Sequence, residues 1–175
     1  ESLLYSSEGW FSAVYLNLRT LSEHGVLPSR DSDIYATFTA AMIDPLAKKQ
    51  REFLAVMGLA DEFTVEMAQR ITGDADAGQI LSMLTEQNAF VTHLPDGATY
   101  RFHHMMKECA IRKFRTLPGA SQTAYWNRFG DWYGAHGQYL HALDAYRMSA
   151  NNDAALAIIE KDAGNLLSAI APEDL

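Results

Sequence analysis

The chain has 175 residues, 48% of them hydrophobic, with a formal net charge of −8 and a single cysteine, Cys109. That apolar share is enough to build a buried core, while one cysteine excludes an internal disulfide framework and any multi-cysteine zinc site. No apolar run reaches membrane-spanning length, and an acidic chain repels phosphate backbones.

The charge is unevenly spread. Residues 1–44 hold two basic and six acidic side chains, residues 45–118 hold nine of each, and residues 119–175 hold three basic and seven acidic. The start, Glu1-Ser2-Leu3-Leu4, lacks the basic head and long apolar stretch of a signal peptide, and residues 171–175 trail off a helical pattern. The sequence reads as a cytoplasmic piece of a longer protein.

In the first part, residues 1–44, Trp10, Val14, Leu18 and Leu21 recur at helical spacing, and Gly25, Pro28 and Ser29 end the helix. A second short helix is expected from about Asp31, capped by Asp31 or Ser32, with Ile34, Phe38 and Met42 on one side. Neither helix can bury its face alone.

The second part, residues 45–118, has the clearest plan. Asp44-Pro45 reads as a helix start, followed by an apolar stripe of Leu46, Phe53, Leu54 and Met57. A second helix should begin at Thr64 and stop at Gly73; a third should run from about Asp76 to Gln87 with Ile80, Leu81 and Leu84 inward. The period then changes. Residues 90–94 and 99–102 read as strands joined by the turn Pro95-Asp96-Gly97. A further helix puts Met106, Ala110, Phe114 and Leu117 on one face. Three helices followed by a β-hairpin form a winged helix.

In the third part, residues 119–175, Tyr125, Phe129, Trp132 and Tyr133 share a helix face, and Trp132 is expected in the core. Gly137 marks a turn, Tyr139, Ala142, Leu143 and Tyr146 continue at helical spacing, Asn151-Asn152 breaks the pattern, and Ala154, Ala155, Ile158 and Ile159 begin another helix. Short helices with alanine and aromatic contacts suggest the start of a helical-repeat arm. The link at residues 118–121 is too short to be free, so the winged helix and the arm should pack as one body. The fold class is thus mainly α: lid helices, a winged helix, then the first helices of a helical-repeat arm.

The chemistry of sites is sparse. The sequence has no GxxxxGK[ST] loop, no GxGxxG and no GxSxG elbow. Cys109, beside Met105 and Met106, reads as a packed core residue. The basic cluster Lys107, Arg112, Lys113 and Arg115 reads as a solvated helix face. His103 and His104 are adjacent, so their rings should point to different helix faces; His136 and His141, five apart, make poor metal ligands. The third helix of the winged helix, the usual groove reader, would present Asp76, Gln79, Ser82 and Glu86 with no lysine or arginine, which suits packing on protein better than DNA readout.

Glu8-Gly9-Trp10 opening an apolar helix, Tyr100-Arg101-Phe102-His103-His104-Met105 opening another, residues 126–133 and the Ala142-Leu143 helix resemble one family along nearly the whole chain. It is the large ATP-dependent LuxR-type bacterial transcription regulators related to MalT, among the signal-transduction ATPases with numerous domains. Many members place a proline directly after Gly-Trp, near the adenine; this sequence has Phe11. The resemblance implies an upstream P-loop ATPase, a lid, this winged helix and arm, a sensor array and a C-terminal DNA-binding helix-turn-helix. On that reading residues 1–44 end the ATPase lid, 45–118 are the winged helix, and 119–175 begin the arm. The resemblance further implies that His103, with Arg101 beside it, reaches the phosphate of ATP or ADP in the complete protein. The partners would be the ATPase and sensor domains in cis, with self-association on activation, no direct DNA contact by this segment, and no membrane. No hydrolysis is expected from this chain, since nothing in it cradles the β- and γ-phosphates. The residues alone leave two other readings open: a DNA-binding winged-helix regulator with a helical dimerisation tail, and a helical protein-interaction scaffold.

Overall fold

A computed structural model describes residues 34–86 and 91–162. The Trp10 helix, the Glu8-Gly9-Trp10 motif with Phe11, and the caps Asp31 and Ser32 lie outside the described residues, as does Phe90. The chain divides into two compact units, residues 1–51 and 52–175.

In the first unit, helix α1 (Ile34–Phe38) runs into one turn of π-helix, Thr39–Ile43. The wider turn moves the buried position from i+4 to i+5: Phe38 and Ile43 are buried, and Met42, expected inward, is only half-buried. Asp44 and Pro45 do not start a helix, because the Asp44 N–H donates back to the Thr39 carbonyl and closes the π turn. Helix α2 (Lys48–Met57) begins three residues after Pro45. Its first turn is capped by Gln50, whose side-chain oxygen accepts from the Ala47 N–H at 3.0 Å, the reciprocal half of a capping box. Arg51 donates to the carbonyls of Asp44 and Leu46, both at 2.8 Å, and so fixes the bend around the proline.

The second unit holds the rest of α2, where residues 53–57 are all buried, then β1 (Phe63–Thr64), α3 (Val65–Thr72), α4 (Ala77–Glu86), β2 (Val91–His93), β3 (Thr99–Phe102) and α5 (His104–Phe114). Thr64 caps α3 by accepting from the Met67 N–H, and Gly73 ends it at φ 74°, a left-handed conformation that glycine adopts without strain. Asp74 then accepts from the Asp76 N–H and leads into α4, which buries Ala77, Ile80, Leu81 and Leu84.

The hairpin forms as its alternation predicts, and a strand not expected from sequence joins it. The sheet is three-stranded and antiparallel in the order β1-β3-β2, with Phe63 opposite Tyr100, and Val91 opposite Phe102. Asp96 holds the wing tip: it accepts from the Ala98 and Thr99 amides and the Thr99 hydroxyl, and these bonds hold its carboxyl down to about 2. On α5, Met105, Met106, Cys109, Ala110 and Phe114 are buried.

The arm follows as α6 (Gly119–Ala135), α7 (Tyr139–Met148) and α8 (Asn152–Lys161). Ala142, Tyr146 and Ile158 form its small core, with Tyr133, Tyr139 and Leu143 packed against it. Gly130 and Gly134 make the approach possible. A Cβ on Gly130 would meet the Tyr146 ring at 2.5 Å, and one on Gly134 would meet Ile158 Cδ1 at 2.8 Å. Asn127 ties the helices together, its side-chain oxygen accepting from Ser149 Oγ at 3.0 Å and Asn151 Nδ2 at 2.8 Å.

Winged helix and arm share the second unit through side chains of α6. The Tyr125 hydroxyl donates to Glu52 at 2.8 Å, and Arg128 donates to the Ile71 carbonyl at 2.8 Å while lying over the Tyr125 ring. A run of ring contacts joins Phe114 to Trp126, Trp126 to Phe129 and Phe129 to Tyr133. Trp132, expected in the core, is only half-buried; its ring stacks on His136 at 3.9 Å.

Candidate functional site

The residues singled out in the sequence converge where β3 passes into α5. Phe102 turns inward and is buried, so by strand alternation Arg101 lies on the opposite, exposed face. His103 is not helical. With φ −59° and ψ 146° it is the N-cap of α5, and its Nδ1 accepts from the Met105 N–H at 3.4 Å. An accepting Nδ1 puts the proton of the neutral ring on Nε2, which makes that nitrogen a donor. His103 is half-buried and His104, the first helical residue, is exposed.

The two rings do not diverge as their adjacency suggests. Their centroids are 4.6 Å apart and tilted by 48°. Divergence presumes that both residues sit on the helix; the extended backbone of the cap instead brings the His103 ring against His104.

The turn between α2 and β1 completes the site. Glu62 pairs with Arg101, and Asp61 pairs with Lys107 one turn into α5. The Lys107 bond is the main reason the Asp61 carboxyl titrates below its ordinary range, against a burial effect in the other direction; the charges of Lys107, His141 and Arg101 add to the lowering. Arg101 is therefore already engaged by a carboxylate, and Lys107 belongs to an ion pair rather than to a purely solvated basic face. The arm reaches the same place. Tyr133 lies 5.2 Å, ring to ring, from His141, and its hydroxyl is pushed up to about 12, chiefly by burial and further by the Asp61 charge. A helix N-terminus, an imidazole donor and cations held by acids make a polar surface able to receive an anion, with its charges fixed in place beforehand.

The sequence singled out Arg101 and His103 for this corner but not Asp61, Glu62, Tyr133 or His141, which the fold places around them. The acidic pair stands directly before Phe63-Thr64, a two-residue strand too short to show alternation, so nothing marked it as facing β3. Gln79, Ser82 and Glu86 on α4, and Asp76 just before it, are exposed as expected, and none is a cation. Among the described residues no group of histidine, cysteine, aspartate or glutamate could hold a metal ion, and no helix is long and apolar enough to cross a membrane.

In comparison with known families, residues 39–122 fit the model of the MalT winged helix domain. No curated protein matches the chain. The matched stretch begins at the π turn and ends just inside α6, so it takes in the whole three-helix and hairpin assembly together with the Arg101–His103 corner.

Proposed function

Because residues 39–122 form a winged helix domain of the MalT type, we propose that this chain is a regulatory segment of a LuxR-type transcription regulator of bacteria, working in the cytoplasm as a nucleotide-gated switch. Its winged helix packs on an ATPase domain of the same polypeptide, and the arm leads on to a sensor. His103 carries the reading. It caps α5, keeps a hydrogen on Nε2, and stands half-exposed where the helix dipole favours an anion. These residues fit a nucleotide phosphate: the donor at His103 would hold an oxygen, and Arg101 and Lys107, each paired with a carboxylate, would turn from Glu62 and Asp61 to reach it. Bound ADP or ATP would supply the charge that anchors the closed state. Release of that contact on inducer binding would free the surface for self-association, a two-state element biased by ligand. This segment itself hydrolyses no ATP and binds no DNA.

The test is His103→Ala in the complete protein. Loss of one charge-assisted bond should speed ADP release by roughly tenfold or more and raise activity without inducer. A variant that holds ADP as wild type does and stays fully inducer-dependent overturns the reading.

The alternative of a DNA-binding winged helix is disfavoured by α4, whose exposed face offers acids and amides to the phosphates. Tight, salt-sensitive gel-shift binding by this chain would reverse that ranking; capture of protein partners by the arm without nucleotide dependence would favour a scaffold.

A further inference from the structure

A cleft of about 510 Å³ opens between α3 and α6, inside the second unit and apart from the α5 start. One wall carries Glu66, Gln69 and Arg70, and the other carries Asp131, Trp132 and His136. Its volume suits a small molecule. Glu66 and Arg70 are four residues apart on one helix, in the order that favours an ion pair, yet neither side chain has a hydrogen-bond or ion-pair partner among the described residues. The other groups are held in place. Gln69 donates to the Ala75 carbonyl, and the Asp131 carboxylate accepts from the Tyr146 hydroxyl at 2.8 Å through one oxygen, which leaves the second available. His136 Nδ1 donates to the Trp132 carbonyl at 2.8 Å, and its ring stacks on the indole at 3.9 Å, so the two rings form one fixed aromatic wall.

An opposite pair of solvent-facing charges without a protein partner among the described residues, beside an aromatic wall, complements a ligand that carries both charges and an apolar body. We infer that this cleft binds a small zwitterion of the α-amino-acid class. Arg70 receives its carboxylate, Glu66 and Asp131 receive its ammonium, and the Trp132–His136 wall receives its side chain. Two acids against one arginine leave the site with a net negative charge, so the ammonium is the stronger anchor. The half-exposure of Trp132 follows from the same arrangement, since its ring borders the cleft instead of filling the core.

The experiment uses the ¹⁵N-labelled 175-residue chain titrated with L-phenylalanine, following the Trp132 indole N–H and the amides of α3. Saturable shifts confined to the cleft are expected. Phenethylamine and 3-phenylpropanoate, which each lack one charge, should bind roughly tenfold or more weakly. Arg70→Ala should bring L-phenylalanine down to the affinity of the amine, and Glu66→Gln should bring it towards that of the acid; both residues are exposed, so the fold is retained. The absence of any saturating shift up to tens of millimolar overturns the inference, as does an amine or acid that binds as tightly as the zwitterion.

Discussion

The winged helix and the arm reach stability by different routes. The winged helix is closed by local devices that act within a few residues: Thr64 and Gly73 bracket α3, Asp74 turns into α4, and Asp96 pins the wing tip. Its interior is broad, with Leu54, Val56, Met57, Ile71, Leu81, Leu84 and Met106 at or near zero exposure and Phe53, Phe63, Phe102 and Phe114 buried as well. Among the described residues the arm's core is small, and the arm depends on close approach at two glycines and on side chains of α6 that reach back to Glu52 and Ile71. The winged helix therefore carries its own fold, whereas α6 is an extension held by it. A switch that moves the arm would strain contacts of the second kind before those of the first.

The largest loss is expected at Phe129, which is 1% exposed and lies between Trp126 and Tyr133 in the run of rings joining the two regions. Phe129→Ala should cost about 3–5 kcal/mol. Trp132→Ala, one turn along the same helix, should cost less, about 2–3 kcal/mol, because part of that ring meets solvent. Urea unfolding of the two variants checks this, and equal losses would show that the indole is core after all.

Gly130→Ala should come next. The added methyl meets the Tyr146 ring, which cannot withdraw without giving up its bond to Asp131, so the cost should be about 1–3 kcal/mol. Its effect should stay local. Hydrogen exchange should quicken in α7 and α8 while α3 and α4 keep their protection. If protection fell equally in both regions, the arm and the winged helix would be one cooperative unit and the contrast between them would fail.

How much of this was legible in the sequence follows from the same contrast. Thr64, Gly73, the wing and the inward face of α4 were readable because caps, turn residues and alternation are written in neighbouring residues. The arm misled at Trp132. A stripe at 125, 129, 132 and 133 reads as one buried face, but at roughly 100° per residue it is a broad arc, and its centre is not where neighbours approach. Gly130 and Gly134 mark that direction, and small residues give no hydrophobic signal, so Trp132 fell at the edge. The π turn at 39–43 hid Ile43 in the same way, since no residue type announces one extra residue per turn. At the site, Arg101 and His103 stood out by their motif, whereas Asp61 and Glu62 acquire their role only when β1 pairs with β3.

The smallest expected effect, and the one that sharpens the boundary between the two regions, is at Asp61. This carboxylate pairs with Lys107 and lies within the electrostatic reach of His141 and Tyr133 on the arm. Its side chain is 85% exposed, so solvent screens the pair, and Asp61→Asn should cost only about 0.2–1 kcal/mol at neutral pH. The pH dependence separates an electrostatic role from a packing one. The folded protein holds the Asp61 carboxyl below its unfolded value, chiefly through the Lys107 bond. The folded state then binds fewer protons at this group than the unfolded state does. The contribution is complete above the unfolded carboxylate pKa of about 4 and is lost as the pH falls through the lowered folded value. Wild type and Asp61→Asn should differ in urea midpoint at pH 7 and converge as the pH falls through the lowered folded value. A difference that persists undiminished in acid would mean that Asp61 acts through its shape and not through its charge.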